Sequence, residues 1–269
     1  MTAPPAEVLD LFAVPDAAEP LPGGAGSSYR AGDLVLSPGR QAQVAEWLNP
    51  VLARLSVRLD EAPRRRRRDL RVALPVPARD GSWVVDGWGA TRYEDGATTC
   101  RDLDVTLAAA RVLHARLASA VPVRPAGLDH RTDRWARAER LVFGPAADLA
   151  AAAAGTPVAG VVRRAEALLD ACDLGADQLV HADLAGNVLL DGYGAPVVID
   201  VSPAWRPPLW AEAVAVLDSV LRLDAPRDEL VRWSTGARRQ AMLRAVVWRA
   251  LVDQAEAVYD DVLDVVAST

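Results

Sequence analysis

The stretch HADLAGNVLLDGYGAPVVID, residues 181 to 200, breaks the helical spacing of the residues on either side of it. QLV before His181 is apolar and extended, and Leu184 to Gly186 makes a short loop. Val188 to Leu190 and Val197 to Ile199 then read as strands around a turn at Asp191 to Gly194. The flanking segments are helical by period: Leu103 to Ala118, about Arg131 to Val142, Val158 to Ala171, Leu209 to Leu223, and again from about Arg227 to Val266. One hairpin embedded among helices makes the chain mixed α and β. Its fold-back brings Asn187, on one arm, close to Asp200 at the end of the other.

The first third has a different texture. SSYRAGDLVLSP predicts a hairpin that turns at Gly32 and Asp33, with Arg30 opposite Val35 and Ser28 opposite Ser37, so Arg30 and Ser37 share a face. Val44, Trp47, Leu48, Val51, Leu52 and Leu55 form one apolar stripe and predict a helix from Arg40 to Leu55. LRVALPVP and SWVVDGWGATRY read as two strands around Asp80-Gly81. Residues 1 to about 25, rich in Pro, Ala and Gly, predict a loose arm ending in a glycine turn, Gly23 to Gly26.

The expected fold class is therefore α+β with two lobes. A small antiparallel β lobe with one helix spans residues 1–97, of which 1–22 are partly loose arm. A larger, mainly helical lobe spans 98–269 and carries the loop 181–187 and the hairpin 188–200. A nucleotide is expected in the cleft between such lobes, because pockets favour domain interfaces.

Composition excludes several functions. With 36 acidic and 30 basic residues the formal net charge is −6, which gives no general attraction to nucleic acid or to anionic membranes. No apolar run approaches the roughly 20 residues of a membrane span, and the N-terminus lacks a basic region followed by an apolar one. A soluble, cytoplasmic protein with no membrane partner is expected. Cys100 and Cys172 have no metal-ligand spacing and read as small buried hydrophobes. All 30 basic residues are arginine. That rules out a phosphate-loop lysine, a lysine Schiff base and a lysine on nucleotide phosphates. The run Arg64 to Arg68 reads as a solvated loop, with a phosphate-rich partner as the other reading.

An amide oxygen and a carboxylate, Asn187 and Asp200, are hard ligands suited to Mg²⁺, which completes its shell with water and nucleotide phosphates. Asp183, four residues before Asn187, would face the same site and could accept the proton of an attacking hydroxyl. His181 is placed to buttress the loop by hydrogen-bonding backbone. The same residues could equally cap turns, as Asp and Asn commonly do.

HADLAGN and VVID resemble the catalytic loop and metal-binding hairpin of the aminoglycoside phosphotransferase and choline kinase group, within the protein-kinase-like superfamily. GGAGSSYRAGDLVL resembles that group's glycine-rich loop and hairpin. DGWGATRY, HADLAGNVL and VIDVSPAWRPP together resemble a subgroup from high-GC bacteria with no assigned acceptor. The resemblance implies a two-lobed kinase-like fold and transfer of a phosphoryl group from ATP, or another nucleoside triphosphate, to a small-molecule acceptor. It implies Asp183 as the catalytic aspartate, His181 as its structural support, and Asn187 and Asp200 as magnesium ligands. It places the nucleotide against Gly23, Gly24, Gly26, Ser27, Ser28, Arg30 and Ser37, with backbone near Tyr93 and Glu94 meeting the adenine. Trp205 and Arg206 stand where the acceptor site begins, and either line it or pack the helical lobe. Asp218 either hydrogen-bonds the catalytic loop or is a helix-surface acid.

Two features depart from the family pattern. Asp183 and Asn187 are separated by three residues rather than four, a tighter turn that Gly186 can permit with a positive φ. Ser37 stands where the strand lysine should hold the α- and β-phosphates, and Glu46, the only acid in place to pair with that lysine, lies about 170° from the centre of the apolar stripe. Arg30 is a possible substitute cation, since guanidinium binds phosphate well; otherwise it is a solvated strand residue. The alternative function is therefore a pseudokinase that serves as a nucleotide-sensing or partner-binding scaffold.

Overall fold

The computed structural model describes residues 3–15, 17–21 and 27–267. In chain order the first elements are α1 (Ala6–Leu11), β1 (Glu19–Pro20), β2 (Tyr29–Ala31), β3 (Leu34–Ser37) and α2 (Ala42–Asp60). β4 (Arg71–Val72), β5 (Pro75–Val76), β6 (Gly89–Arg92) and β7 (Thr98–Thr99) follow. Then come α3 (Leu103–Ala120), α4 (Arg134–Val142), α5 (Ala146–Ala153), α6 (Ala159–Glu166), β8 (Gln178–His181), β9 (Val188–Leu190) and β10 (Pro196–Val198). β11 (Pro203–Arg206), α7 (Pro208–Arg222), α8 (Gly236–Asp253) and α9 (Ala257–Ala267) close the chain.

The chain divides into two compact units. One comprises Met1–Cys100, Ala118–Arg131 and Gly186–Val201; the other comprises Arg101–Leu117, Thr132–Ala185 and Ser202–Thr269. The hairpin that sequence order embeds among helices thus clusters with the strands of the first unit.

In that unit a five-stranded sheet runs β1-β2-β3-β6-β5. The β2–β3 register is the expected one: Tyr29 lies opposite Leu36, Arg30 opposite Val35 and Ala31 opposite Leu34. Gly32 supplies the positive φ, +61°, that this tight turn requires. One face buries Tyr29, Ala31, Leu34 and Leu36, while Arg30, Val35 and Ser37 on the other are half-buried.

Part of the expected loose arm is a helix, α1. Val8, Leu9 and Phe12 are 0, 4 and 4% exposed and pack into one apolar cluster with Tyr29, Leu36 and Trp88. A six-residue helix cannot persist alone in water, so this one is held by the stripe it buries, and its Pro-rich surroundings concealed that stripe. Leu9→Ala is expected to lower the unfolding free energy by about 2–4 kcal/mol, the usual loss for a core leucine. A denaturant midpoint unchanged from wild type would restore the loose arm.

LRVALPVP is not one strand. Its two halves join different sheets: β5 pairs with β6, whereas β4 pairs in parallel with β10, Arg71 opposite Val197. The dipeptide Leu74-Pro75 marks the switch, since proline supplies no ladder N–H and restricts the residue before it. SWVVDGWGATRY is also shorter as a strand than it reads, because Asp86 and Gly87 take positive φ, 52° and 78°, and the chain reverses between Val85 and Trp88. The second sheet, β4-β10-β9-β7, carries the hairpin, with Val188, Val197 and Val198 fully buried. Arg64 to Arg68 are exposed: Arg65 lies 3.2 Å from Asp60, Arg67 stacks 4.8 Å over the Tyr193 ring, and Arg68 Nε donates to the Tyr193 carbonyl at 3.3 Å.

The second unit is helical around a two-stranded ladder, β8 with β11, that the sequence did not signal beyond His181. The expected helical run from Arg227 to Val266 is broken into a 3₁₀ segment, Arg227–Trp233, then α8 and α9. Gln254, left-handed at φ 53°, stops α8. α8 is buried almost all round; Trp248 is 1% exposed and meets Trp210 of α7 edge-on at 5.4 Å. Cys100 is buried as expected, but Cys172 is exposed because it lies in the polar connection after α6. Among the described residues, no helix is long and apolar enough to cross a membrane.

Candidate active site

In the helical unit, β8 delivers His181 into the interior, 0% exposed. Its Nδ1 accepts the backbone N–H of Asp183 at 3.2 Å and of Ser202 at 3.3 Å. A ring nitrogen that accepts cannot also carry the proton, so the imidazole hydrogen is on Nε2. The backbone N–H of His181 in turn donates to Nε2 of His114, on α3, at 3.1 Å. His114 is 2% exposed, and burial, aided by the neighbouring His181, pushes its pKa down to about 3. Two neutral histidines thereby fix the path of residues 181 to 183.

The Asp183 carboxylate is gripped by a residue that sequence reasoning missed. Arg249, on α8 and 2% exposed, donates through Nη2 to Asp183 and to Asp218, and through Nε to Asp218 Oδ2 at 2.9 Å. Asp218, on α7, is 1% exposed, so it is no helix-surface acid; it is linked to Asp183 and the loop 181–187 through Arg249. Burial pulls the Arg249 guanidinium down, and the Asp218 and Asp183 carboxylates outweigh it, holding the group above its ordinary range. Burial likewise lifts the Asp218 carboxyl to about 6 against the pull of Arg249 and Arg222. One planar fork therefore sets the orientation of two carboxylates. The signal was present in the sequence as a single charge inside the apolar run AVVWRALV.

In the sheet unit, the Ile199 N–H donates to the Asn187 carbonyl at 2.9 Å, the next step beyond the β9–β10 ladder. That bond sets Asn187 and Asp200 at the same end of one hairpin, as the fold-back predicts. Gly186 has φ +85°, the freedom that the shortened loop calls for. Asp200 is also left-handed, at φ +47°, a region that a residue with a side chain enters at a cost. Its carboxylate is ion-paired with the guanidinium of Arg40. Hard oxygens from an amide and an exposed carboxylate suit Mg²⁺, which commonly takes few protein ligands and fills its shell with water and phosphate. Among the described residues no group of three or more His, Cys, Asp or Glu side chains gathers as a protein-only metal cage.

The expected nucleotide residues are placed unevenly. Gly23, Gly24 and Gly26 lie outside the described residues, and Ser27 is half-buried. Ser28 Oγ and Ser37 Oγ share a hydrogen bond of 2.9 Å, so the strand position expected to hold a lysine is tied to its cross-strand neighbour. Arg30 is engaged at the turn of the hairpin rather than beside Ser37: it lies 4.0 Å from the Tyr93 ring centroid and donates through Nε to the Gly32 carbonyl at 3.1 Å. Its stacking on Tyr93 argues against the substitute-cation reading. Glu94 is paired with Arg71 through two bonds of 2.6 and 3.3 Å. Glu46 is exposed on α2. In the helical unit, Trp205 is half-buried on β11, and Arg206 is 2.9 Å from Glu139 and stacked 4.4 Å over Phe143.

No protein-family model and no curated protein matches the sequence. Solved structures do match. The choline kinase LicA from Streptococcus pneumoniae superposes with a TM-score of 0.55 at 14% identity, covering 98% of this chain and 97% of that one. Spectinomycin phosphotransferase APH(9)-Ia, solved as its AMP-bound complex, gives 0.54 at 13% identity over 98 and 97%. The chain has the protein-kinase-like fold. An aminoglycoside phosphotransferase from Alicyclobacillus acidocaldarius agrees, at 0.52 and 15% identity over 99% of this chain and 92% of that one. The likeness in fold extends over nearly all of this chain and most of each of the others.

Proposed function

We propose that this kinase-like chain is an ATP- and Mg²⁺-dependent phosphotransferase that acts on a hydroxyl of a small molecule. The observation that carries the reading is the hairpin, which sets the two hard-oxygen side chains Asn187 and Asp200 at one end of paired strands. Asn187 and Asp200 would hold the magnesium ion, which supplies charge neutralisation for the phosphates when bound. Asp183, its carboxylate oriented by Arg249, accepts the proton of the acceptor hydroxyl. The hydroxyl oxygen forms the new bond to the γ-phosphorus as the bond from that phosphorus to the β,γ-bridging oxygen breaks, and the nucleoside diphosphate leaves with that electron pair. His181 holds no substrate; it fixes the backbone that presents Asp183. The AMP-bound relative of the same fold supports nucleotide as the donor.

A second reading, a catalytically silent scaffold, is favoured by one observation: Ser37 is spent on Ser28 and Glu46 faces solvent, so neither half of the usual lysine–glutamate pair is present. Calorimetric titration with ATP, with and without Mg²⁺, separates the two. The phosphotransferase reading expects Mg²⁺-dependent binding that falls at least tenfold in Asp200→Ala. Absence of binding at millimolar ATP would leave the scaffold.

A further inference from the structure

The chain contains no lysine, Ser37 is occupied by Ser28, and Arg30 is stacked on Tyr93. A phosphotransferase of this fold nevertheless needs a fixed cation against the nucleotide phosphates. We propose that Arg40 is that cation, displaced by three residues from the strand to the turn that follows it. The proposal rests on the phosphotransferase reading above.

Three observations place it. First, the Arg40 guanidinium is bonded to Asp200, the carboxylate proposed to hold the metal, so its charge already lies where the metal–phosphate complex would form. Second, the residue is anchored at its base: its backbone N–H donates to the Gly87 carbonyl at 2.8 Å. Third, its stem crosses the sheet where the sheet has no side chain. A Cβ at Gly89, the β6 residue opposite Ser37, would lie 3.1 Å from the Arg40 Cγ and 3.7 Å from its Cβ. Glycine at 89 lets the Arg40 stem lie close against β6, whereas a β-carbon there would crowd it.

The chemistry suits an exchange of partners. Without nucleotide, Arg40 and Asp200 neutralise one another. When a metal–nucleotide complex takes the Asp200 carboxylate, the guanidinium fork is left beside phosphate oxygens, which accept its N–H donors as a carboxylate does. Arg40 thus binds the phosphates in the loaded state and shields Asp200 in the empty one. It touches the nucleotide's phosphates and not its base.

That distinction gives the test. Wild type, Arg40→Ala and Arg40→Lys are titrated with ADP in the presence of Mg²⁺ and, separately, with adenosine, and thermal unfolding is recorded for each. Arg40→Ala should weaken Mg²⁺–ADP binding 10- to 100-fold and leave adenosine within twofold, while Arg40→Lys recovers most of the ADP affinity. Unchanged or tighter ADP binding in Arg40→Ala would overturn the assignment and make Arg40 only a competitor for Asp200. A parallel loss of ADP and adenosine would overturn it too, by marking Arg40 as a structural strut. If folded wild type binds adenosine but gains nothing from the phosphates and Mg²⁺ of ADP, the phosphotransferase reading itself falls, and this proposal with it.

Discussion

Arg249→Met is expected to lower the unfolding free energy by about 3–5 kcal/mol, the range for breaking a buried ion pair from one side. The physical reason is Asp218. It is 1% exposed, and Arg249 answers its charge through two nitrogens, with Arg222 farther off at 3.9 Å. Methionine fills much of the arginine's volume, so the loss reads charge rather than cavity. The matching expectation is that Arg249→Met with Asp218→Leu recovers most of the stability, because a buried pair exchanged for apolar residues is often neutral. Denaturant unfolding of wild type, both single variants and the double variant completes the cycle. Additive losses in the double variant would show that the pair is not coupled. The double variant should still be less active than wild type under the phosphotransferase reading, since Asp183 loses its bond from Arg249.

The second large effect is on acid stability. The folded-state pKa of His114, about 3, lies well below the ordinary 6.5, with burial as the first cause. A depressed value means that the unfolded chain takes up a proton that the folded one refuses. The contribution is therefore full above about pH 6.5 and is lost as pH falls towards 3, a total of roughly 4–5 kcal/mol. Asp218 works in the opposite sense. Its value is raised from 3.8 to about 6, so its contribution is present below the unfolded value and disappears as pH rises through 6. Between about pH 4 and 6 the two slopes oppose, and wild type should look flatter than either group alone predicts. The variants separate them. Between pH 7 and 3, wild type should lose roughly 4–5 kcal/mol relative to His114→Gln; relative to Asp218→Asn it should gain stability as pH falls from 6 to 4. Parallel stability curves for wild type and His114→Gln would show that the buried imidazole does not titrate with unfolding.

Local signals carried much of the fold. Gly32-Asp33 between alternating apolar residues specified both a turn and a register, and Asp191 to Gly194 specified the turn of the later hairpin. Where reading by period failed, tertiary structure had overridden it. Leu70 to Pro77 is apolar apart from Arg71 and reads as one strand, and only Leu74-Pro75 marks the point where its halves part to different sheets. Val8, Leu9 and Phe12 make a helical stripe, but only the sheet they pack against makes six residues of helix stable. The site divides in the same way. Asp183, Asn187 and Asp200 were legible because they share twenty residues of chain. Arg40 and Arg249 were not, because each meets its carboxylate across 160 and 66 positions of sequence. Arg249 at least stood out as a charge in an apolar helix, whereas Arg40, in a Pro-Gly turn, had no period to violate.

The backbone of Asp200 adds a constraint of a different kind. A left-handed φ of +47° is one that glycine adopts freely and that an L-residue with a Cβ resists. At position 200 the substitution that removes the carboxylate and the substitution that relaxes the chain are one and the same, Asp200→Gly. Screens that rank variants by thermal stability would therefore tend to favour that change, and in doing so would discard the side chain around which both Arg40 and the metal proposal are built.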